Sequence, residues 1–206
     1  MRAVLSKLSE QDYLRGEMQS EIRHEYVDGV VFAMAGAGEA HNLIAGNIFA
    51  KLRESVRGGP CRVFISDMKL HVQTWQAYYY PDIMVTCDPT DSQTHYKERP
   101  SLVVEVLSPS TQRTDRREKM LAYRTLDSLK EYLLVETDKR QAELYRRDEA
   151  GEWKLAEFRS DQPLFLDCIG VSLTLEEIYE DVKLAPIENR FIEDPLKPQI
   201  VAARGI

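Results

Sequence analysis

A mixed α/β domain, with a central mixed sheet flanked by helices and peripheral β-hairpins, is the fold class this 206-residue chain predicts. Three observations predict it. Short apolar, β-branched runs recur between residues 61 and 136, helix-period segments stand before and between them, and no repeat or linker divides the chain. The length suits one well-cored domain, expected over residues 1–185, with an extended or disordered tail over 186–206.

The elements follow in order. Ser9-Glu10-Gln11-Asp12 places an acid three residues after a serine, which predicts a helix N-cap and a short helix. His24-Glu25-Tyr26-Val27, Asp28-Gly29 and Val30-Val31-Phe32-Ala33-Met34 predict a hairpin, because Asp and Gly tolerate the positive φ of a two-residue turn. From Ala40 to Val56, Leu43, Ile44, Ile48 and Leu52 fall on one helical face, and Gly58-Gly59-Pro60 ends the helix. Strands are expected near 61–72, 78–87 and 101–108, then a helix over about 114–125 and a strand over 131–136. Gln141–Arg147 and Trp153–Phe158 predict a peripheral hairpin, and Ser172 to Glu177 opens a last short helix.

Composition excludes several classes. No stretch approaches the roughly 18 apolar residues of a membrane helix, and residues 1–6 lack a secretory apolar core. The three cysteines, Cys61, Cys87 and Cys168, are scattered and odd in number. That argues against a disulfide framework or a zinc site, predicts three small core residues, and fits a reducing cytoplasm. A net charge of −7 weighs against a protein that coats nucleic acid. Locally, Arg113, Arg116, Arg117, Lys119 and Arg124 stand against Asp115 and Glu118, a net of +3 that either a basic cleft or a solvated helix face would produce.

Two acids interrupt apolar strands: Asp82 in Tyr80-Pro81-Asp82-Ile83-Met84-Val85 and Glu105 in Leu102-Val103-Val104-Glu105-Val106-Leu107. A buried carboxylate needs a partner or a cation, and two on neighbouring strands form an oxygen site for a divalent metal serving phosphate chemistry. Alternation puts Asp82 with Met84 and Glu105 with Leu107, so the acids share a cleft if their strands adjoin. The alternative is a turn-capping Asp82 and a salt-bridged Glu105. After Glu105, Ser108-Pro109-Ser110-Thr111 forms a hydroxyl-rich turn, and Asp115, Lys119 and Tyr123 share one helix face. Lys119 there would stabilise phosphoryl charge, or else form a surface pair with Asp115.

The order Glu25-Tyr26-Val27-Asp28-Gly29, His41, Tyr80-Pro81-Asp82, Val104 to Thr111, Asp115, Lys119, Tyr123 and Glu131-Tyr132 closely resembles the Uma2 family (DUF820), over roughly residues 5 to 180. That family belongs to the PD-(D/E)XK superfamily, so the resemblance implies a restriction-endonuclease-like core. It implies Asp82 and Glu105 as ligands of Mg²⁺ (or Mn²⁺), helped by the Val106 carbonyl. The superfamily lysine two residues after the second acid is replaced by Leu107, and Lys119 from the following helix would supply it. Glu25 matches an early-acid position and would hold a second metal or its water, or else is an exposed hairpin residue. His41 would contact substrate phosphate, or else is an N-terminal or interface residue. Asp67-Met68-Lys69 has an Asp-x-Lys form but precedes the Pro-Asp acid, and reads as strand plus turn.

The leading expectation is a Mg²⁺-dependent DNA endonuclease in which Ser108, Ser110, Asp115, Tyr123 and the basic helix position the DNA backbone. A homodimer is expected, since cutting two strands commonly takes two sites. The alternative is a catalytically inactive nucleic-acid- or protein-binding module retaining the fold. A hydrolase of small phosphorylated compounds is a third reading.

Overall fold

The computed structural model describes residues 7–34, 36–108, 112–159 and 162–184. The expected tail and Ser110 lie outside these residues. Ser9 caps α1 (Glu10–Glu17), its hydroxyl accepting from the Asp12 amide at 3.1 Å. Strands β1 (His24–Val27) and β2 (Val30–Ala33) form the expected hairpin, with φ of 46° at Asp28 and 88° at Gly29. The long helix α2 (Glu39–Ser55) buries Ile44, Ala45, Ile48 and Leu52, while Leu43 stays half-buried.

Two expected strands are each two strands. The 61–72 run divides into β3 (Arg62–Ile65) and β4 (Lys69–Val72), with Ser66 at φ 52° between them. The 78–87 run divides into β5 (Ala77–Tyr79) and β6 (Ile83–Thr86) around Tyr80-Pro81-Asp82, where Pro81 has no amide to give a ladder. In both cases the halves enter different sheets. A short β7 (Tyr96–Lys97) precedes β8 (Leu102–Leu107). The expected helix runs as α3 (Gln112–Thr114), a π-helical turn (Asp115–Lys119) and α4 (Met120–Tyr123). Then come β9 (Glu131–Glu136), the hairpin β10 (Ala142–Arg147) and β11 (Trp153–Phe158), the pair β12 (Leu164–Leu166) and β13 (Val171–Leu173), and α5 (Leu175–Ile178). Thr174 and Glu177 cap α5 reciprocally.

The main sheet has six strands in the order β11-β10-β9-β8-β6-β3, so the 142–158 hairpin widens it. β8 and β9 are parallel, joined by the crossover through residues 112–123, and the other pairs are antiparallel. One face packs α2, α5 and β12–β13 over Ile83, Val85, Leu102, Val104 and Val135. The opposite face sets Met84, Val103, Leu107 and Leu134 against Met120, Ala122 and Tyr123 of the crossover and against Leu70, Val72 and Tyr79. Those last residues belong to a second, five-stranded sheet, β2-β1-β5-β4-β7. The predicted mixed α/β class holds. No helix among the described residues is long and apolar enough to cross a membrane.

The cysteine expectation is corrected. β3 and β6 pair Arg62 with Thr86, which brings the flanking Cys61 and Cys87 opposite one another, and they form a disulfide. Cys168 is a free thiol, and burial pushes its pKa up. The spacing of the cysteines therefore no longer argues for a reducing compartment.

Candidate active site

Pairing of Ile83 with Val104 makes Asp82 and Glu105 the next opposed positions on β6 and β8. The Asp82 amide donates to Glu105 Oε2 at 3.3 Å, and the Val106 amide donates to Asp82 Oδ2 at 2.7 Å. The two strands predicted to adjoin do adjoin, and the acids share one cleft.

Lys119 lies at the centre of the site. Its Nζ is 3.0 Å from Glu25 Oε1, 3.2 Å from Glu105 Oε1 and 3.2 Å from Asp115 Oδ1. It reaches there because the crossover helix starts just beyond β8 and makes its π turn over Asp115–Lys119, a distortion found often at functional sites. Leu107, at the position of the superfamily lysine, is buried in the core among Met84 and Tyr123. Glu25 is no exposed hairpin residue. It also accepts from the Tyr80 amide at 3.2 Å, joining the smaller sheet to the site.

Asp115 lines the groove at its base, and Tyr123 stands behind it. Asp115 is buried beneath Lys119. Tyr123 is fully buried, and its hydroxyl donates to Glu105 Oε1 at 3.0 Å, so it holds the acid and does not reach out to a substrate. His41, in the first turn of α2, has Nε2 3.1 Å from Asp82 Oδ2. It thus holds the other strand acid. Ser108 lines the groove. The basic helix is not a free cationic stripe: Arg116 binds Glu136 and Glu143, Lys119 is enclosed, and Arg124 stacks over Tyr145 and Trp153. Of its five basic residues, Arg113 and Arg117 are the exposed ones.

Charge balance dominates the electrostatics. Glu25, Asp82, Glu105 and Asp115 line one groove with Lys119 and His41. Burial pushes Glu105 well above the ordinary carboxylate range; Lys119 opposes this, and Asp115, Asp82 and Glu25 add to it. Burial alone would lower the Lys119 pKa, but Glu105, Glu25 and Asp115 together hold it well above the usual lysine value. The His41 pKa is also raised: burial opposes charging, and the Asp82 carboxylate more than offsets that. The site therefore holds four acids against Lys119 and His41, an excess that bound protons or a further cation would relieve.

Among the described residues no three His, Cys, Asp or Glu side chains form a ready metal cage. Mg²⁺ needs no such cage, since it takes one or two carboxylates and fills its other positions with water and phosphate. Asp82 and Glu105 both line the groove and would offer that donor set, with the excess negative charge a divalent cation would neutralise.

The groove encloses about 470 Å³. Its rim includes Phe32, Met34 and Ile65, which no sequence motif marks as site residues. A signal for Phe32 does exist in the Asp-Gly turn, because a two-residue loop fixes the hairpin register and so sets Phe32 opposite Glu25. A second cavity of about 340 Å³, lined by His71, Thr74, Arg99 and Ser128 among others, shares none of these residues.

Known proteins resemble this chain in sequence and in fold. The Uma2 family model, described as a putative restriction endonuclease, matches residues 10–176. Two uncharacterized proteins of Synechocystis sp. are 36% and 32% identical, over 86% and 77% of this chain and 94% and 92% of their own. A crystal structure described as a putative nuclease belonging to DUF820 from Anabaena variabilis has the same fold, with a TM-score of 0.69 at 16% identity, covering 84% of this chain and 97% of that one. With its matched span running from α1 to α5 and enclosing every residue of the acid groove, the chain belongs to the Uma2 family.

Proposed function

We propose that this protein is a Mg²⁺-dependent endonuclease that hydrolyses DNA phosphodiester bonds at the groove of Asp82, Glu105 and Lys119. One observation carries the reading: two opposed strand acids and one buried lysine meet although they lie far apart in sequence. The family description and the fold of the Anabaena protein support it.

Asp82 and Glu105 would hold the ion, which supplies Lewis acidity at the scissile phosphate. His41 and the Val106 amide orient Asp82, and Tyr123 orients Glu105. Such fixed partners keep a carboxylate in its working rotamer. The Lys119 ammonium, held by three acids, would face the charge that develops on the attacked phosphate. Lysine is needed for this and leucine cannot do it, so the enclosure of Lys119 answers the loss of a lysine at position 107.

The test is cleavage of plasmid and oligonucleotide DNA with Mg²⁺ or Mn²⁺ by wild type, Asp82→Ala and Glu105→Gln. Wild type should cut and both variants should lose at least roughly 100-fold, the order of effect expected when a charge-stabilising group is removed. Undiminished cutting by either folded variant would sink the assignment.

A further inference from the structure

The proposed substrate must approach a groove whose walls are poorly made for a duplex. Duplex and single-strand binding both draw on cations that replace counterions along the phosphates, and a groove short of them must hold its ligand by other contacts, such as stacking on a base that a duplex keeps covered. Here the groove carries four acids, Glu25, Asp82, Glu105 and Asp115, against Lys119 and His41, and both of these are already paired with those acids. The neighbouring arginines 116 and 124 are engaged elsewhere. No run of free positive charge leads along this groove among its described residues.

The rim offers something else. Phe32 is 52% exposed, Met34 39% and Ile65 36%, and all three line the groove that holds the acids. Phe32 pairs directly with Glu25 across the hairpin, and directly opposed strand residues share a face with Cβ atoms about 4.5–5.5 Å apart. The aromatic ring thus stands one strand away from the carboxylate that binds Lys119. The volume of about 470 Å³ falls in the range of pockets that take one small ligand, about 300–1,000 Å³.

We infer that this groove takes an unpaired base, stacked on Phe32 and bordered by Met34 and Ile65, so that the preferred substrate is single-stranded or locally unpaired DNA. The inference rests on the nuclease reading for the chemistry and on the rim for the specificity. A base presents a π face whatever its identity, so the rim selects strandedness and not sequence. The same exposed ring would be covered if β2 paired with a second copy of the chain. Its place inside the acid groove favours the base, and the experiment separates the two.

Fluorescence anisotropy with a labelled single-stranded oligonucleotide, and with a hairpin duplex of the same sequence, would be measured in Ca²⁺ for wild type, Phe32→Ala and Phe32→Trp. Cleavage in Mg²⁺ by the same proteins and by Glu105→Gln would be followed in parallel, with their masses in solution. The expected result is tighter binding of the single strand. Phe32→Ala should weaken it by roughly 5- to 100-fold, the loss of one base–aromatic stack, and Phe32→Trp should restore it. Equal or tighter duplex binding, an unaffected Phe32→Ala, or no binding at all overturns the inference, and Glu105-dependent cutting would still uphold the nuclease reading. Phe32-dependent single-strand binding without Glu105-dependent cutting upholds the rim and rejects the nuclease. A dimer that Phe32→Ala converts to monomer places the ring between two copies and overturns the inference.

Discussion

Glu105 and Glu131 are buried glutamates on adjoining parallel strands, 2% and 1% exposed, and the protein surrounds them in opposite ways. Glu131 is saturated with donors: Arg146 Nε at 2.7 Å, the Asp167 amide at 3.1 Å and the Cys168 amide at 3.2 Å. It ties β9 to β10 and to the turn between β12 and β13, and its charge is answered locally. Glu105 also has donors, in Lys119 and Tyr123, yet it shares its ammonium with two further acids and stands beside a third. Burial alone therefore does not mark a working acid. What would mark it is a charge that the surrounding protein leaves only partly answered, as at Glu105.

The sharpest way to break this comparison is to remove the shared cation. Lys119→Met leaves buried carboxylates without their partner and should destabilise the fold by about 3–5 kcal/mol, read by urea denaturation at neutral pH. A small change would mean that the acids are already protonated or hydrated and that Lys119 is not their counterion.

Next in size is the contrast between two isosteric changes. Glu131→Gln loses the ion pair with Arg146 and one of its acceptor oxygens, and should cost about 1–3 kcal/mol. Glu105→Gln should leave stability unchanged or raise it at neutral pH, and the sign follows from its titration. The folded pKa of Glu105 lies above the unfolded value of about 4.3, so across that window the folded state binds more protons than the unfolded one. Wild-type stability then falls as pH rises from the unfolded to the folded pKa. Glu105→Gln has no such slope, so its advantage should grow through that window and then level off. Equal losses for both glutamines would place the two glutamates in one structural class.

The smallest expected effect belongs to the surface. Lys51 pairs with Glu177 between α2 and α5, but both side chains are only half-buried, and water screens such pairs. Lys51→Ala should not move the melting temperature measurably. A clear drop would show that surface charge, and not the two buried glutamates, sets the stability of this face.

Much of this site is legible in the amino-acid sequence, for physical reasons that can be named. An acid among β-branched residues is conspicuous, so Asp82 and Glu105 stand out, and the Asp28-Gly29 turn announces its own hairpin. Lys119 is legible only as a helix-face position. Its burial depends on the π turn and on Glu25 arriving from another sheet, which spacing does not encode. The breaks inside the 61–72 and 78–87 runs are hidden unequally: Pro81 is a visible signal, whereas Ser66 adopts positive φ without the glycine that would advertise it. The Cys61–Cys87 bond depends on strand register across 26 residues of chain. Counting cysteines cannot find it.

The parallel pairing of β8 with β9 also bears on how the protein comes to exist. Antiparallel neighbours can zip from a tight turn, but β9 cannot lie beside β8 until the chain has travelled out through residues 112–123 and back. Lys119 rides in that detour. The ammonium therefore comes to Glu105 with the segment that joins β8 to β9. Loop closure of this kind is slow, which makes the docking of the crossover a moment when solution conditions matter. Salt or a divalent cation in the refolding buffer would shield the waiting carboxylates and speed the step that brings their natural counterion home.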